Sequence, residues 1–323
     1  MALTTRQLSR RAVLAGACAM TAACAVRPSL SGAAANAEAD ALYDSHLHFF
    51  SNDIARYPID PRNAREPEDI FRARIMTDPG TPEKIFALWQ ASGISAGTGV
   101  QYSGAYKTDN SYVLDMADRF PGKIRPEIII SARDPEAVSH LRGFAGSRRV
   151  AAVRLTGFVD ATEDISWLNS PAALDIWGAA NALGLPVAIT FLPPKGASQS
   201  LSAIKTLADR FPDCTIILEH FGRLVDSDLA PVHVALAPYR KIHFKLTTNV
   251  IDELKESGRS TADFTRRAVN IYGPDRIMWG SDFGNTLRPY ADMVADARAA
   301  CAQLTETERR RLLHDNGNAM FKA

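Results

Sequence analysis

Eight short apolar or β-branched runs, each bounded by turn residues and followed by a stretch of helical periodicity, recur along almost the whole chain. The runs are Leu42 to Phe49, Ala96 to Gln101, Arg125 to Ser131, Ala151 to Gly157, Pro186 to Phe191, Thr215 to His220, His243 to Thr248 and Ile277 to Phe283. Between them the pattern predicts helices at Pro82 to Ser92, Asn110 to Phe120, Pro135 to Gly143, Pro171 to Leu183, Leu201 to Phe211, Asp228 to Leu236, Ala262 to Tyr272 and Tyr290 to Cys301. Several open with Pro or Asp and close near Gly, as capping favours. Strict alternation of strand and helix demands parallel strands, and eight such units over roughly 280 residues match one closed barrel. An open doubly wound sheet is the rival. Polar residues decide between them: the pair His46/His48, Gln101, Arg154, His220, Lys245 and Asp282 stand at or near the C-terminal ends of six different strands. A barrel gathers those ends at one mouth, whereas an open sheet strings them along an edge. The expected class is therefore α/β, a single (β/α)8 TIM barrel over residues 40–323, with Thr305 to Phe321 as a helical tail on the barrel base.

Residues 1–39 read as an address. A polar start leads to Ser9-Arg10-Arg11-Ala12-Val13-Leu14 and an Ala-rich apolar run to about Val26, the order of a twin-arginine export signal. The apolar stretch is roughly 15 residues, short for a ~30 Å hydrocarbon core, so export with cleavage near Ala37 or Ala39 is expected rather than a membrane span. The expected location is the periplasm.

Composition narrows the partners. The 37 basic and 36 acidic residues leave a formal net charge of +1, so no global field gathers nucleic acid or an anionic membrane, and a small-molecule substrate is expected. Outside the leader only Cys214 and Cys301 remain, in no paired metal-binding spacing. Buried, inert thiols are the expectation for both.

The first strand ends in Asp44-Ser45-His46-Leu47-His48. Strand side chains alternate, so His46 and His48 point to one side, into the mouth, where two imidazoles can share a metal or a substrate oxygen. His220 closes the sixth strand and Asp282 the eighth. Together they put three imidazoles and a carboxylate around one opening, which is a general-base constellation or a metal site. Tyr57, Tyr102, Ser103 and Tyr106 are candidates to line a pocket, and Lys245 to face the mouth. His140, His233, His243 and His314 fall away from the mouth and read as structural or solvated.

An ordered set of motifs spans nearly the whole chain beyond the leader: Asp44-Ser45-His46-Leu47-His48, the Tyr57-Pro58 to Pro67 loop, Val100-Gln101-Tyr102-Ser103-Gly104 with Asp109-Asn110-Ser111-Tyr112, Val153-Arg154-Leu155, Leu185-Pro186-Val187, His220-Phe221-Gly222-Arg223 and Trp279-Gly280-Ser281-Asp282. In these the chain resembles the amidohydrolase superfamily, in the subgroup that includes 2-pyrone-4,6-dicarboxylate lactonase. The resemblance implies hydrolysis of a ring ester, with Asp282 as general base on the attacking water and the carbonyl polarised by the imidazoles of His46, His48 and His220 or by a metal. Arg154 and Arg223 suit a substrate carboxylate, which guanidinium grips in bidentate fashion. Metal-dependent members also carry His at the end of the fifth strand or Lys/Glu on the fourth, and here Thr190 stands at that fifth-strand position. The expectation is accordingly that no metal is required, the alternative being a single Zn2+ on His46, His48 and Asp282. Phe283-Gly284-Asn285-Thr286 and Thr247-Thr248-Asn249 depart from the dicarboxylate lactonases, which argues against that particular dicarboxylate while keeping the reaction type. Two alternatives stand beside a lactonase: a non-oxidative decarboxylase or lactone isomerase on the same barrel, and a periplasmic binding module without turnover.

Overall fold

The computed structural model describes residues 41–322, except 63, 65, 161–163, 191–196, 224–228 and 230. The expected export signal therefore lies outside the described residues. Eight strands, β1 Leu42–Leu47, β2 Ile94–Val100, β3 Ile124–Ile129, β4 Ala152–Thr156, β5 Val187–Thr190, β6 Ile216–Leu218, β7 Ile242–Thr247 and β8 Ile277–Gly280, follow one another in sheet order, every neighbouring pair parallel. The connecting helices are α1 Pro82–Ser92, α2 Ser111–Arg119, α3 Ala137–Ser147, α4 Pro171–Ala182, α5 Ala197–Arg210, α6 Pro231–Val234, α7 Thr261–Tyr272 and α8 Tyr290–Ala300. Extra helices at Glu68–Thr77 and Thr248–Glu256 were not anticipated from sequence, because each sits inside a connection already assigned one helix. The architecture is the (β/α)8 barrel. Among the described residues, no helix is long and apolar enough to cross a membrane.

Helix ends follow local chemistry. Ser170, ahead of Pro171 in α4, and Ser260 before α7 accept from backbone N–H groups of the first turn through their side chains. Gly93 ends α1 in the left-handed conformation, with a φ of 76° that costs glycine little.

The sheet closes between β1 and β8 by fewer backbone bonds than elsewhere. Asp282 N donates to His46 O at 2.7 Å and His48 N to Phe283 O at 2.9 Å. The buried Asp44 carboxylate completes the seam: Oδ1 accepts from Ser281 N at 2.8 Å and His46 N at 3.1 Å, and Oδ2 from Ser281 Oγ at 2.5 Å and Tyr290 Oη at 2.8 Å. Gly280 makes the approach possible, since a Cβ there would stand 2.5 Å from His46 Cβ and 2.8 Å from its backbone N.

The main core lies between strands and helices, while a second cluster of Tyr43, Ala96, Ala151, Ala152, Ala188, Ile217, Met278 and Phe321 fills the lower barrel. Small alanines on the strands leave room there for Tyr43 and for Phe321, whose rings stack with centroids 6.4 Å apart. Phe321 comes from the tail, so the expected docking of that tail on the barrel base is what the structure has. Above this plug, apolar filling gives way to charge.

Candidate active site

The two β1 histidines reach the centre through a bulge. Pairing of β1 with β2 slips register on both sides of Asp44, so Tyr43 points inward with the lower plug while His46 and His48 point inward above it, a spacing that strict alternation forbids. His46 is fully buried and His48 is 2 % exposed. His48 Nδ1 lies 2.8 Å from Val100 O, and because a carbonyl can only accept, Nδ1 carries the proton and Nε2 presents a lone pair. His46 Nε2 and His48 Nε2 each stand 3.4 Å from Asp282 Oδ1.

Asp282 sits beyond the end of β8 with a φ of 56°. This left-handed conformation is one that Asp tolerates better than most residues. Its two oxygens have separate duties. Oδ2 accepts from Asn285 Nδ2 and Thr286 Oγ1, both at 2.8 Å, and Asn285 is itself held by Tyr102 Oη at 3.0 Å. Oδ1, like His46 Nε2, is buried with no hydrogen-bond partner among the described residues. Burial pushes His48 below the usual imidazole range, so it is neutral at neutral pH.

His220 enters from a left-handed turn in which His220, Phe221 and Gly222 have φ of 49°, 52° and 68°. The turn explains how adjacent residues Glu219 and His220 both face the interior, which continuing β6 would prevent. His220 Nδ1 lies 2.9 Å from Thr247 Oγ1, and its ring centroid is 5.0 Å from that of His46. All four residues expected to carry the chemistry thus meet at the C-terminal ends of β1, β6 and β8.

Below them lies a charge cluster largely missed from sequence. Glu219 Oε1 is 3.1 Å from His46 Nδ1, and Glu219 Oε2 accepts from Arg154 Nε at 2.8 Å and from Thr190 Oγ1. Lys245 Nζ reaches Glu127 Oε2 at 2.7 Å and both Glu219 Oε1 and His46 Nδ1 at 3.3 Å. Glu127, Glu219 and Lys245 are all fully buried. Burial lifts Glu127 to about 7, with Lys245 opposing it, whereas Arg154, His46 and Lys245 overcome burial at Glu219 and keep it ionised. The signal was present: a lone acid at Glu127 and a lone base at Lys245, inside apolar strand runs, must find partners because unpaired buried charge is too costly.

The other expected residues divide. Tyr102 backs His48, ring centroids 4.7 Å apart, and positions Asn285. Ser103 opens the short helix after β2 and is 8 % exposed. Tyr57 Oη donates to Asp115 on α2 and its ring packs on Tyr112, seating the loop after β1; Tyr106 Oη likewise accepts from Ser51 N. Arg154 is 4 % exposed and committed through Nε and Nη1 to Glu219, Thr190 and the Gln101 carbonyl. Arg223 ends the β6 turn, and its side chain lies outside the described residues. Lys245 points into the interior beneath the histidines. His140 and His314 pair with neighbouring acids near the surface, as expected of structural residues. Cys214 and Cys301 are buried free thiols, both pushed up to about 12 by burial.

The donor set suits one divalent cation. His46, His48 and Asp282 offer atoms that all lie within 4.8 Å of one another. A tetrahedron with metal–ligand bonds of about 2.1 Å has edges of about 3.4 Å, the separation of each Nε2 from Oδ1 here. A second grouping, His46, Glu219 and His220, is also close enough, but the Lys245 ammonium already stands 3.3 Å from two of its donor atoms. The expectation that no metal is required therefore finds no support in this geometry, because two of the three donor atoms have no other partner.

A parallel barrel with an acid and imidazoles gathered at its C-terminal mouth has the architecture of an enzyme. The amidohydrolase family model matches residues 43–323, and the chain belongs to that family. Among solved structures, a probable 2-pyrone-4,6-dicarboxylic acid hydrolase from Acinetobacter baumannii with bound citric acid superposes with a TM-score of 0.67 at 19% identity, covering 87% of this chain and 98% of that one. A protein from Pseudomonas putida assigned to the same activity gives 0.66 at 22% identity, covering 87% and 97%. The 5-carboxyvanillate decarboxylase from Novosphingobium aromaticivorans, complexed with manganese and 4-hydroxy-3-methoxy-5-nitrobenzoic acid, gives 0.65 at 14% identity, covering 88% and 97%. At these identities the likeness establishes the shared fold. No curated protein matches the chain.

Proposed function

We propose that the protein is a hydrolase that opens a lactone or related cyclic ester of a small carboxylated metabolite, acting in the periplasm after twin-arginine export. The observation that carries this reading is Asp282: with Oδ2 tied to Asn285 and Thr286, Oδ1 alone faces His46 and His48 in a buried mouth. In this scheme Asp282 Oδ1 takes the proton of the attacking water as its oxygen bonds to the ester carbonyl carbon. The ring C–O bond then breaks, and the proton passes to the leaving oxygen. His220, its ring centroid 5.0 Å from that of His46, supplies polarisation of the carbonyl. A divalent cation on His46, His48 and Asp282 would add Lewis acidity at the carbonyl. Arg154 and Arg223 are proposed to meet the substrate carboxylate, and Tyr102 and Ser103 to shape the wall.

Decarboxylation is the second reading, because solved decarboxylases share the fold. Thr190 weighs against it: the fifth-strand position that holds His in such enzymes is spent here on bonding Glu219 and Arg154. The deciding experiment incubates purified protein, after metal analysis, with carboxylated lactones and with hydroxybenzoates, each with and without chelator. Acid release from a lactone, reduced by chelator, is expected. Carbon dioxide release from a hydroxybenzoate with inert lactones would replace the lactonase reading, and ligand binding without turnover of either class would favour a binding module.

A further inference from the structure

His46 Nδ1 has two neighbours that make opposite demands. Glu219 Oε1 at 3.1 Å asks it to donate a proton, and Lys245 Nζ at 3.3 Å asks it to accept one. Whichever prevails decides what His46 Nε2 offers to Asp282 and His48. If Lys245 prevails, Nε2 carries the proton of a neutral ring and its lone pair is lost to the site. If Glu219 prevails, the proton stays on Nδ1 and Nε2 is left to exchange a proton or hold a cation.

We infer that Glu219 is a positioning residue that keeps a proton on His46 Nδ1, with Arg154, Thr190 and Lys245 holding Glu219 in place for that task. The inference rests on the reading above only in taking His46 Nε2 as a working atom of the site. Three observations carry it. Lys245 has shorter or better-matched partners than a neutral nitrogen: Glu127 Oε2 at 2.7 Å and the anionic Glu219 Oε1 at 3.3 Å, with the Phe321 ring 5.1 Å from Nζ. Glu219 Oε2 is fully engaged by Arg154 Nε and Thr190 Oγ1, so the carboxylate cannot swing away and Oε1 is fixed toward His46. His46 Nε2 is buried and makes no hydrogen bond among the described residues; the nearest acceptor, Asp282 Oδ1, stands at 3.4 Å, beyond the 3.1 Å that separates Nδ1 from Glu219 Oε1. Imidazoles that ligate metals commonly donate their other N–H to such a carboxylate, which fixes both tautomer and ring orientation. This account also gives Arg154 a role beyond meeting substrate, since its guanidinium locks the orienting acid.

The substitution Glu219→Gln inverts the arrangement with little change of shape. Arg154 Nε at 2.8 Å and Thr190 Oγ1 present protons to Oε2 against one longer bond at Oε1, that from Lys245 Nζ at 3.3 Å, so the amide oxygen turns toward Arg154 and the amide NH2 faces His46 Nδ1, Lys245 keeping Glu127. Nδ1 must then accept, and the proton moves to Nε2. The test is a long-range 1H–15N correlation spectrum of 15N-histidine-labelled protein, treated with chelator and again after Zn2+ is restored, with His46 assigned from a His46→Gln variant. Expected are a proton on Nδ1 in the wild type under both conditions, and its loss in Glu219→Gln. Activity on any confirmed substrate should fall about 10- to 100-fold through kcat with KM little changed, with a similar loss in Zn2+ affinity, and Glu219→Asp should recover part of each. A wild-type His46 bare at Nδ1, or a Glu219→Gln protein that keeps the Nδ1 proton, overturns the inference. The wild-type spectrum alone suffices should the variant fail to fold. Because it needs no substrate, a negative lactone panel leaves this result standing and a positive one does not prejudge it.

Discussion

At Asp282, identity and backbone conformation act together. Asn is the other non-glycine residue well suited to a φ of 56°, and its side-chain oxygen can still accept from Asn285 and Thr286. Asp282→Asn therefore isolates the chemistry: turnover should fall by roughly two to four orders of magnitude, the usual scale for a lost general base. The thermal unfolding midpoint should move by only a few degrees. Steady-state kinetics beside a melting curve checks both, and near wild-type turnover would remove Asp282 from its role. Residue types at the four principal positions were legible from sequence because imidazoles and a carboxylate at strand ends have few structural uses. Glu219 was passed over because, as the neighbour of His220, strand alternation would turn it to the opposite face.

Strand ends do the positioning at the next scale. The bulge in β1, the left-handed turn after β6 and the tight β1–β8 approach at Gly280 each aim a side chain that regular geometry would aim elsewhere. The seam between β1 and β8 depends on Asp44, whose carboxylate accepts from four donors. In Asp44→Ala the buried backbone N–H groups of Ser281 and His46 lose their acceptor, at a cost on the order of 1–3 kcal/mol for each polar group left unpaired. Urea unfolding should show a lower midpoint with an unchanged slope, and activity should fall as His46 shifts with the seam. A variant as stable as the wild type would mean that the backbone bonds at His46 and His48 suffice to close the barrel.

For the molecule as a whole, the buried histidines that take no part in the site set a pH limit. His233 is fully buried beside Phe221 and Phe244, and burial pushes it down to about 4; burial likewise pushes His243 to about 4. Between pH ~6.5, where an unfolded imidazole titrates, and pH 4, the unfolded chain binds the extra protons, so stability falls as pH falls through this window and is complete above it. For His233 the excursion amounts to about 3 kcal/mol at most. Unfolding of His233→Leu followed from pH 7 to 4 should lose stability less steeply than the wild type. Parallel curves would show that His233 takes no part in the acid sensitivity.

Periodicity settled that the strands are parallel, the polar residues at their C-terminal ends chose the closed barrel over an open sheet, and strand borders fell within a few residues of those expected. The local pattern also placed His46, His48, His220 and Asp282 at one mouth, since the barrel brings all C-terminal strand ends together. What only tertiary structure decided is which atoms of those residues face one another. The register slip in β1, the left-handed residues at His220 and Asp282, and the pairing of Glu127 and Glu219 with Lys245 and Arg154 depend on strands far apart in sequence. Burial makes such pairings obligatory, but the chain written as a line cannot say which charges will share the interior.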